Sequence, residues 1–168
     1  MEEYLPALSI DGNTLVFTKR IAEKGYVPQE DFYISTRNEQ VSWQEAIPYS
    51  GTINTDRNEG AFSFSADKEI VVYTACNRDD GQGRCDLYLM LNNTTYNAGK
   101  IINTKHWESQ GCFSPDGKYL YFVSNRPGGY GGKDIWRSEI TQKGFLPAEN
   151  LGDTINTKYD EMSPFVHP

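Results

Sequence analysis

The triplet Ile-Asn-Thr occurs three times, and its recurrence constrains this chain more than any other feature. The copies are Ile53-Asn54-Thr55, Ile102-Asn103-Thr104 and Ile155-Asn156-Thr157, at intervals of 49 and 53 residues. Each is followed by a glutamate, Glu59, Glu108 or Glu161. Eight residues past the first two glutamates stand Asp67 and Asp116, the latter within Ser114-Pro115-Asp116-Gly117-Lys118. Asp11-Gly12, after Ser9-Ile10, holds that place in the first copy. Strand-like runs follow at Thr14-Leu15-Val16-Phe17-Thr18, Glu69-Ile70-Val71-Val72-Tyr73-Thr74 and Tyr119-Leu120-Tyr121-Phe122-Val123. Next come Lys19-Arg20, Asn77-Arg78 and Asn125-Arg126, then loops ending at Asp31-Phe32-Tyr33, Asp86-Leu87-Tyr88 and Asp134-Ile135-Trp136. Arg78 to Asp86 and Arg126 to Asp134 are both 8 residues, whereas Arg20 to Asp31 is 11, so the first loop carries an insertion.

A unit of about 50 residues holding four short β-rich segments between turn signals has the size and content of one propeller blade. No window shows a sustained helical period with caps. Parallel β-helices have shorter rungs, and immunoglobulin-like sandwiches do not repeat internally. The expected fold is therefore all-β: three four-stranded antiparallel blades, near residues 4–58, 59–107 and 108–160, and the opening strand of a fourth at 161–168. Three blades and a strand do not close a ring, since closed propellers use 4–8 blades. The expectation is a portion of a longer propeller, with six blades in view. A homodimer through the open blade edges is the alternative.

Phe113 to Trp136, with Ser114-Pro115-Asp116-Gly117-Lys118 and Asn125-Arg126-Pro127-Gly128-Gly129-Tyr130-Gly131-Gly132-Lys133-Asp134, resembles the WD40-like, TolB-type propeller repeat (PD40). Together with Ile-Asn-Thr it resembles propellers of OmpA-family envelope lipoproteins from Bacteroidetes-type bacteria, some belonging to type IX secretion machinery. The second copy departs from the pattern, with Ala66-Asp67-Lys68 at the Pro-Asp-Gly position and no Trp before its Ile-Asn-Thr. The resemblance implies a periplasmic, outer-membrane-associated scaffold whose partners are envelope proteins or the rest of its own propeller. No OmpA-like domain is present, so peptidoglycan binding is not carried over.

Composition narrows the function. A net charge of −7 with scattered Lys and Arg argues against nucleic acid, which requires a basic surface. No stretch approaches the roughly 18–20 apolar residues of a membrane span, so no insertion by this segment is expected. The residues show no signal peptide. Cys76 and Cys85 flank the turn Asn77 to Arg84, a spacing that permits a disulfide and equally two reduced cysteines packed as small hydrophobes. With Cys112 they show no zinc-ligand spacing. No metal or cofactor is expected.

Alternating strand direction brings the Ile-Asn-Thr-to-Glu connections and the Asn-Arg-to-Asp loops to one face. That face gathers Asn54, Arg57, Glu59, Arg78, Asn103, Trp107, Glu108, Arg126 and Tyr130. Loops on a rigid scaffold are where binding residues collect, and Arg, Trp and Tyr are enriched at interface hot spots. The candidate binding residues are Trp107, Tyr130, Arg78, Arg126, Glu108 and Arg57. Residues present in every blade have a structural reading as well. Arg78 with Asp86 and Arg126 with Asp134 can brace hairpin ends, the glutamates can satisfy loop amides, and Gly128, Gly129, Gly131 and Gly132 can supply positive-φ turns. Trp107 and Tyr130 occur once each and are the better candidates for specific contact.

Catalytic readings find little. There is no Gly-x-Ser-x-Gly elbow, and the only histidines are His106 and His167. No spacing singles out a carboxylate pair for glycoside hydrolysis. Asp79-Asp80-Gly81 lacks the alternating ligands of an EF-hand. The expected function is a non-catalytic interaction scaffold, with glycan or peptidoglycan-fragment binding as the alternative and a hydrolase behind both.

Overall fold

The computed structural model describes residues 2–22 and 27–167. The three extra residues expected in the first Arg-to-Asp loop lie partly outside them. The first blade comprises β1 (Glu2–Leu8), β2 (Thr14–Ile21), β3 (Gln29–Thr36) and β4 (Ile47–Pro48), paired antiparallel in that order. The second comprises β5 (Asn58–Phe64), β6 (Ile70–Cys76), β7 (Cys85–Leu91) and β8 (Thr94–Asn97) in the same order. The third comprises β9 (Glu108–Phe113), β10 (Tyr119–Ser124) and β11 (Asp134–Thr141), its outer position shared by β12 (Gly144–Phe145) and β13 (Glu149–Asn150), both on β11. No helix among the described residues is long and apolar enough to cross a membrane.

The core lies between blades. Successive strand residues point to opposite faces, so a blade with neighbours on both sides must be apolar on both. In β6, Val71, Tyr73 and Ala75 pack toward the first blade with Val16, Phe32, Ile53 and Phe62. The alternate Val72, with Leu87 and Ile102, packs toward the third against Leu120, Phe122 and Trp136. The outer blades each have one face uncovered. On the first it holds Phe17 and Tyr33, stacked at 6.3 Å, with the Lys19 ammonium over Tyr33. On the third it holds Tyr119 and Tyr121, with the Arg137 guanidinium over Tyr119.

A turn and a bulge recur in each repeat. After each inner strand, a serine hydroxyl donates to an aspartate two residues on: Ser9 to Asp11, Ser65 to Asp67 and Ser114 to Asp116, each at 2.6 Å. Each Asp then accepts a backbone amide, from Asn13, Glu69 and Lys118. Within each inner strand, one residue adopts positive φ: Leu5 (50°), Ala61 (57°) and Gln110 (54°). The ladder shifts register there, so these are β-bulges. A non-glycine residue in this region is uncommon and strained, and an inter-blade bond offsets the cost. The amides of Ala61 and Gln110 donate to Thr18 and Thr74 hydroxyls on the second strand of the preceding blade.

Residues 161–167, expected to open a fourth blade, run beside β9 but join no ladder. Ser163 repeats the bulge (φ 54°), and its amide donates to the Gln110 side chain. The second strand that would pair with this segment is not among the described residues.

Candidate functional site

The Ile-Asn-Thr motif is a clamp between blades. Asn54 presents its side-chain carbonyl to the Phe32 amide and its side-chain amide to the Phe32 carbonyl, at 2.8 and 2.9 Å. Asn103 does the same to Leu87, and Asn156 to Ile135. A short amide side chain thus satisfies the third-strand amide of the preceding blade and shares its carbonyl with a backbone amide, from Tyr49, Ala98 or Leu151. The isoleucine beside it seals the inter-blade core: Ile53 and Ile102 are fully buried, whereas Ile155 is 49% exposed.

The glutamates cap the same connection. Glu59 accepts from the Thr55 amide and hydroxyl, Glu108 from those of Thr104, and Glu161 from those of Thr157. Glu59 and Glu108 are fully buried. Burial raises the Glu59 carboxyl above its ordinary value, against the opposing pull of Thr55 and Arg78.

Arg78 and Arg126 do not brace Asp86 and Asp134. Arg78 pairs with Glu59 at 3.2 Å and donates to the Ile53 carbonyl; Arg126 pairs with Glu108 at 3.3 Å and donates to the Ile102 carbonyl. Burial holds the Arg126 guanidinium below its ordinary value. The Asp carboxylates are taken by the glycine-rich loops: Gln82 and Gly83 amides donate to Asp86, Tyr130 and Gly131 amides to Asp134. Folding the loop back aims consecutive amides at one carboxylate, leaving the guanidinium to reach the buried glutamate instead. Nor do all four glycines supply positive φ. Gly128 does (98°), but at Gly131 a Cβ would collide with the Tyr159 and Thr157 carbonyls, and at Gly132 with Asp160. Those two are set by close approach of the next connection, as is Gly83 beneath Thr104 and His106.

Arg126 and Glu108 therefore spend their polar groups holding the frame, and Arg78 does so through its Nη2. Arg57, exposed and 3.8 Å from Asp56, and Tyr130, 53% exposed, stand at the surface. Trp107 is placed by its amide on the Asn125 side chain and by a parallel bridge to Cys85, and the Lys133 ammonium sits 5.1 Å from its ring. Trp107 also lines a cleft of about 390 Å³, with Tyr4, Glu30, Asn58, Asn77 and Arg84. The structure does not bring Arg57 or Tyr130 into this cleft. Sequence reasoning missed Asn58, Asn77 and Arg84 as lining groups; Arg84, a cation where the third blade has Gly132, was the available signal. Cys76 and Cys85 are register partners on β6 and β7 at the rim of this cleft, with Sγ atoms 2.03 Å apart in a disulfide. Cys112 is a buried free thiol, pushed up to about 11 by burial. A second, more apolar cleft of about 560 Å³ runs between the inner strands and residues 163–166. No group of three or more metal-ligating side chains occurs among the described residues.

No protein-family model matches the chain, and no curated protein sequence does. Solved structures do. TolB from Acinetobacter baumannii superposes with a TM-score of 0.59 at 19% identity, over 93% of this chain and 33% of that one. The β-propeller domain of the Trilobed protease from Pyrococcus furiosus, described as having an open velcro topology, gives 0.52 at 11% identity, over 90% and 43%. A prolyl endopeptidase gives 0.52 at 16% identity, over 86% and 21%. The chain thus spans a third of the TolB chain, and the likeness establishes the β-propeller fold.

Proposed function

We propose that this chain is a non-catalytic interaction scaffold of a bacterial cell envelope, and that the cleft beside Trp107 receives a segment of another envelope protein. The observation that carries this is the division of labour on the motif face. The groups repeated in every blade are engaged within the frame, while the single-copy Trp107 and Arg84 line an open, mixed-polarity concavity. An aromatic and an arginine held on a rigid frame are the composition of an interface hot spot. The disulfide at the cleft rim suits an oxidising compartment such as the periplasm. The finer setting, outer-membrane association beside OmpA-type domains in type IX secretion, follows the repeat resemblance. Affinity capture from a Bacteroidetes-type envelope extract tests the reading. Recovery of one partner by the chain, lost with Trp107→Ala and Arg84→Glu, is expected; no recovery above those variants overturns it.

A glycan-fragment ligand is the second reading, favoured by a cleft lined by Trp107 together with Asn58, Asn77 and Glu30. Calorimetry with soluble cell-wall fragments separates the two. Heat abolished by Trp107→Ala supports the glycan, and absence of heat with the unaltered chain removes it.

A further inference from the structure

The second blade carries a cross-link that its neighbours do without. Cys76 and Cys85 are the last register pair of β6 and β7, and a disulfide joins them. At the same place the first blade pairs Arg20 with Glu30. The third has Asn125 and Lys133, just beyond its last ladder pair, Ser124 with Asp134. The third blade nevertheless folds its loop in the same way. Tyr130 and Gly131 amides hold Asp134 as Gln82 and Gly83 amides hold Asp86, and Gly131 sits under the next connection as Gly83 does. Within the second loop the Asn77 amide also donates to the Arg84 carbonyl. Hydrogen bonds thus set the loop conformation. A cross-link between positions only 9 apart is also of the kind that restrains the unfolded chain least.

The bond is reachable from solvent. Cys76 is partly exposed, and both cysteines line the open cleft with Asn77, Arg84 and Trp107. Cys85 forms the parallel bridge to Trp107, and Gly83 packs beneath the Thr104 and His106 carbonyls. The disulfide therefore fixes to β6 the strand end that follows Arg84 and meets Trp107.

We propose that Cys76–Cys85 is a thiol-exchange site, opened and closed by a dithiol oxidoreductase, and that opening it releases the cleft wall formed by residues 77–85 and 104–107. A thiolate of the oxidoreductase attacks Sγ of Cys76, the more exposed partner. Sγ of Cys85 leaves and takes a proton. The second thiol of the oxidoreductase then displaces Sγ of Cys76, which is protonated in turn. The oxidoreductase ends as a disulfide, this chain has gained two electrons and two protons, and the reverse exchange restores the bond. The exchange acts on the wall of the cleft and does not depend on what fills it.

Thiol trapping on the folded full chain tests this. A reduced thioredoxin-type dithiol protein is added in native buffer, free thiols are tagged with a maleimide, and the tags are located by peptide mass spectrometry. Tags on Cys76 and Cys85 are expected, with the buried Cys112 untagged. Amide hydrogen exchange in the reduced chain should be faster by about tenfold or more at 77–85 and 104–107, while the loop at 126–133 keeps its protection. Cys76→Ser combined with Cys85→Ser should show the same pattern without reductant. A disulfide that stays closed to the dithiol in the folded chain overturns the proposal. So does reduction that leaves 77–85 and 104–107 as protected as before, or that strips protection from every blade, since the bond would then staple the whole frame. None of these readouts involves a partner, so a failed capture from envelope extract leaves them intact.

Discussion

At the scale of single residues, stability rests on a few polar side chains that finish what the backbone leaves open. Asn103 is the clearest. It is buried and satisfies both polar groups of Leu87. Orphaning a buried donor or acceptor costs about 1–3 kcal/mol; Asn103→Ala orphans the Leu87 amide while Ala98 still holds the carbonyl, so it should lower stability by that amount in urea titration. The equivalent change at Asn156, equally buried and on both polar groups of Ile135, should cost a similar amount. The carboxylates pull stability in opposite directions with pH. Asp116 is held down to about 2 by the Ser114 hydroxyl and the Lys118 amide, Asp11 is lowered by the Lys68 ammonium and then by Ser9, and Asp67 by Ser65 and the Glu69 amide. Their contribution is present above the ordinary value of 3.8 and is lost as pH falls toward 2. Glu59 is raised by burial, so its ionisation disfavours the fold and its contribution falls as pH rises through its ordinary value of 4.5. Denaturant midpoints between pH 6 and pH 3 should therefore drop less for Asp116→Asn than for the unaltered chain, and more for Glu59→Gln.

At the scale of elements, the blade-to-blade joints are backbone against backbone, and glycine marks them. Gly131→Ala should cost about 1–3 kcal/mol, as overpacking does, because carbonyl oxygens of 157 and 159 occupy the space a methyl would need. Gly128→Ala tests a different cause, the positive φ, and should cost about 1 kcal/mol. Thermal unfolding of the two variants separates close approach from backbone conformation. This distinction was not legible in the sequence, where Gly128 and Gly131 look alike. The strands and their order were legible, because Ile-Asn-Thr, Ser-x-Asp and Asp-aromatic recur at offsets only a repeated blade produces. The partners of Arg78 and Arg126 were not. Asp86 and Asp134 are closer in sequence than the glutamates are, but the loop amides claim them first. Glu3 escaped notice as the fourth member of the glutamate series because no Ile-Asn-Thr stands before it. The cleft beside Trp107 draws on residues from all three blades, and no spacing within one repeat could have assembled it.

At the scale of the molecule, each blade touches only its neighbours, so stability is nearly a sum over adjacent pairs. The second blade has two partners and the others one. Amide hydrogen exchange should be slowest in β6 and β7, where nearly every side chain is buried, and fastest in β4, β13 and residues 161–167. Equal protection across the three blades would show that the frame opens as one body. The clamp by Asn54, Asn103 and Asn156 carries a last consequence, for where such a chain can be cut. A blade drawn from its strands ends at Asn150, yet the Ile135 carbonyl is held by Leu151 and Asn156 and its amide by Asn156, six residues later. Truncation after 150 would delete no strand of the third blade but would strip both polar groups of Ile135. Truncation after Thr157 would keep them. The piece that is inherited as a repeat and the piece that stands as a blade are therefore out of phase, and libraries of shortened or permuted propellers of this type should be cut after the threonine rather than between the sheets.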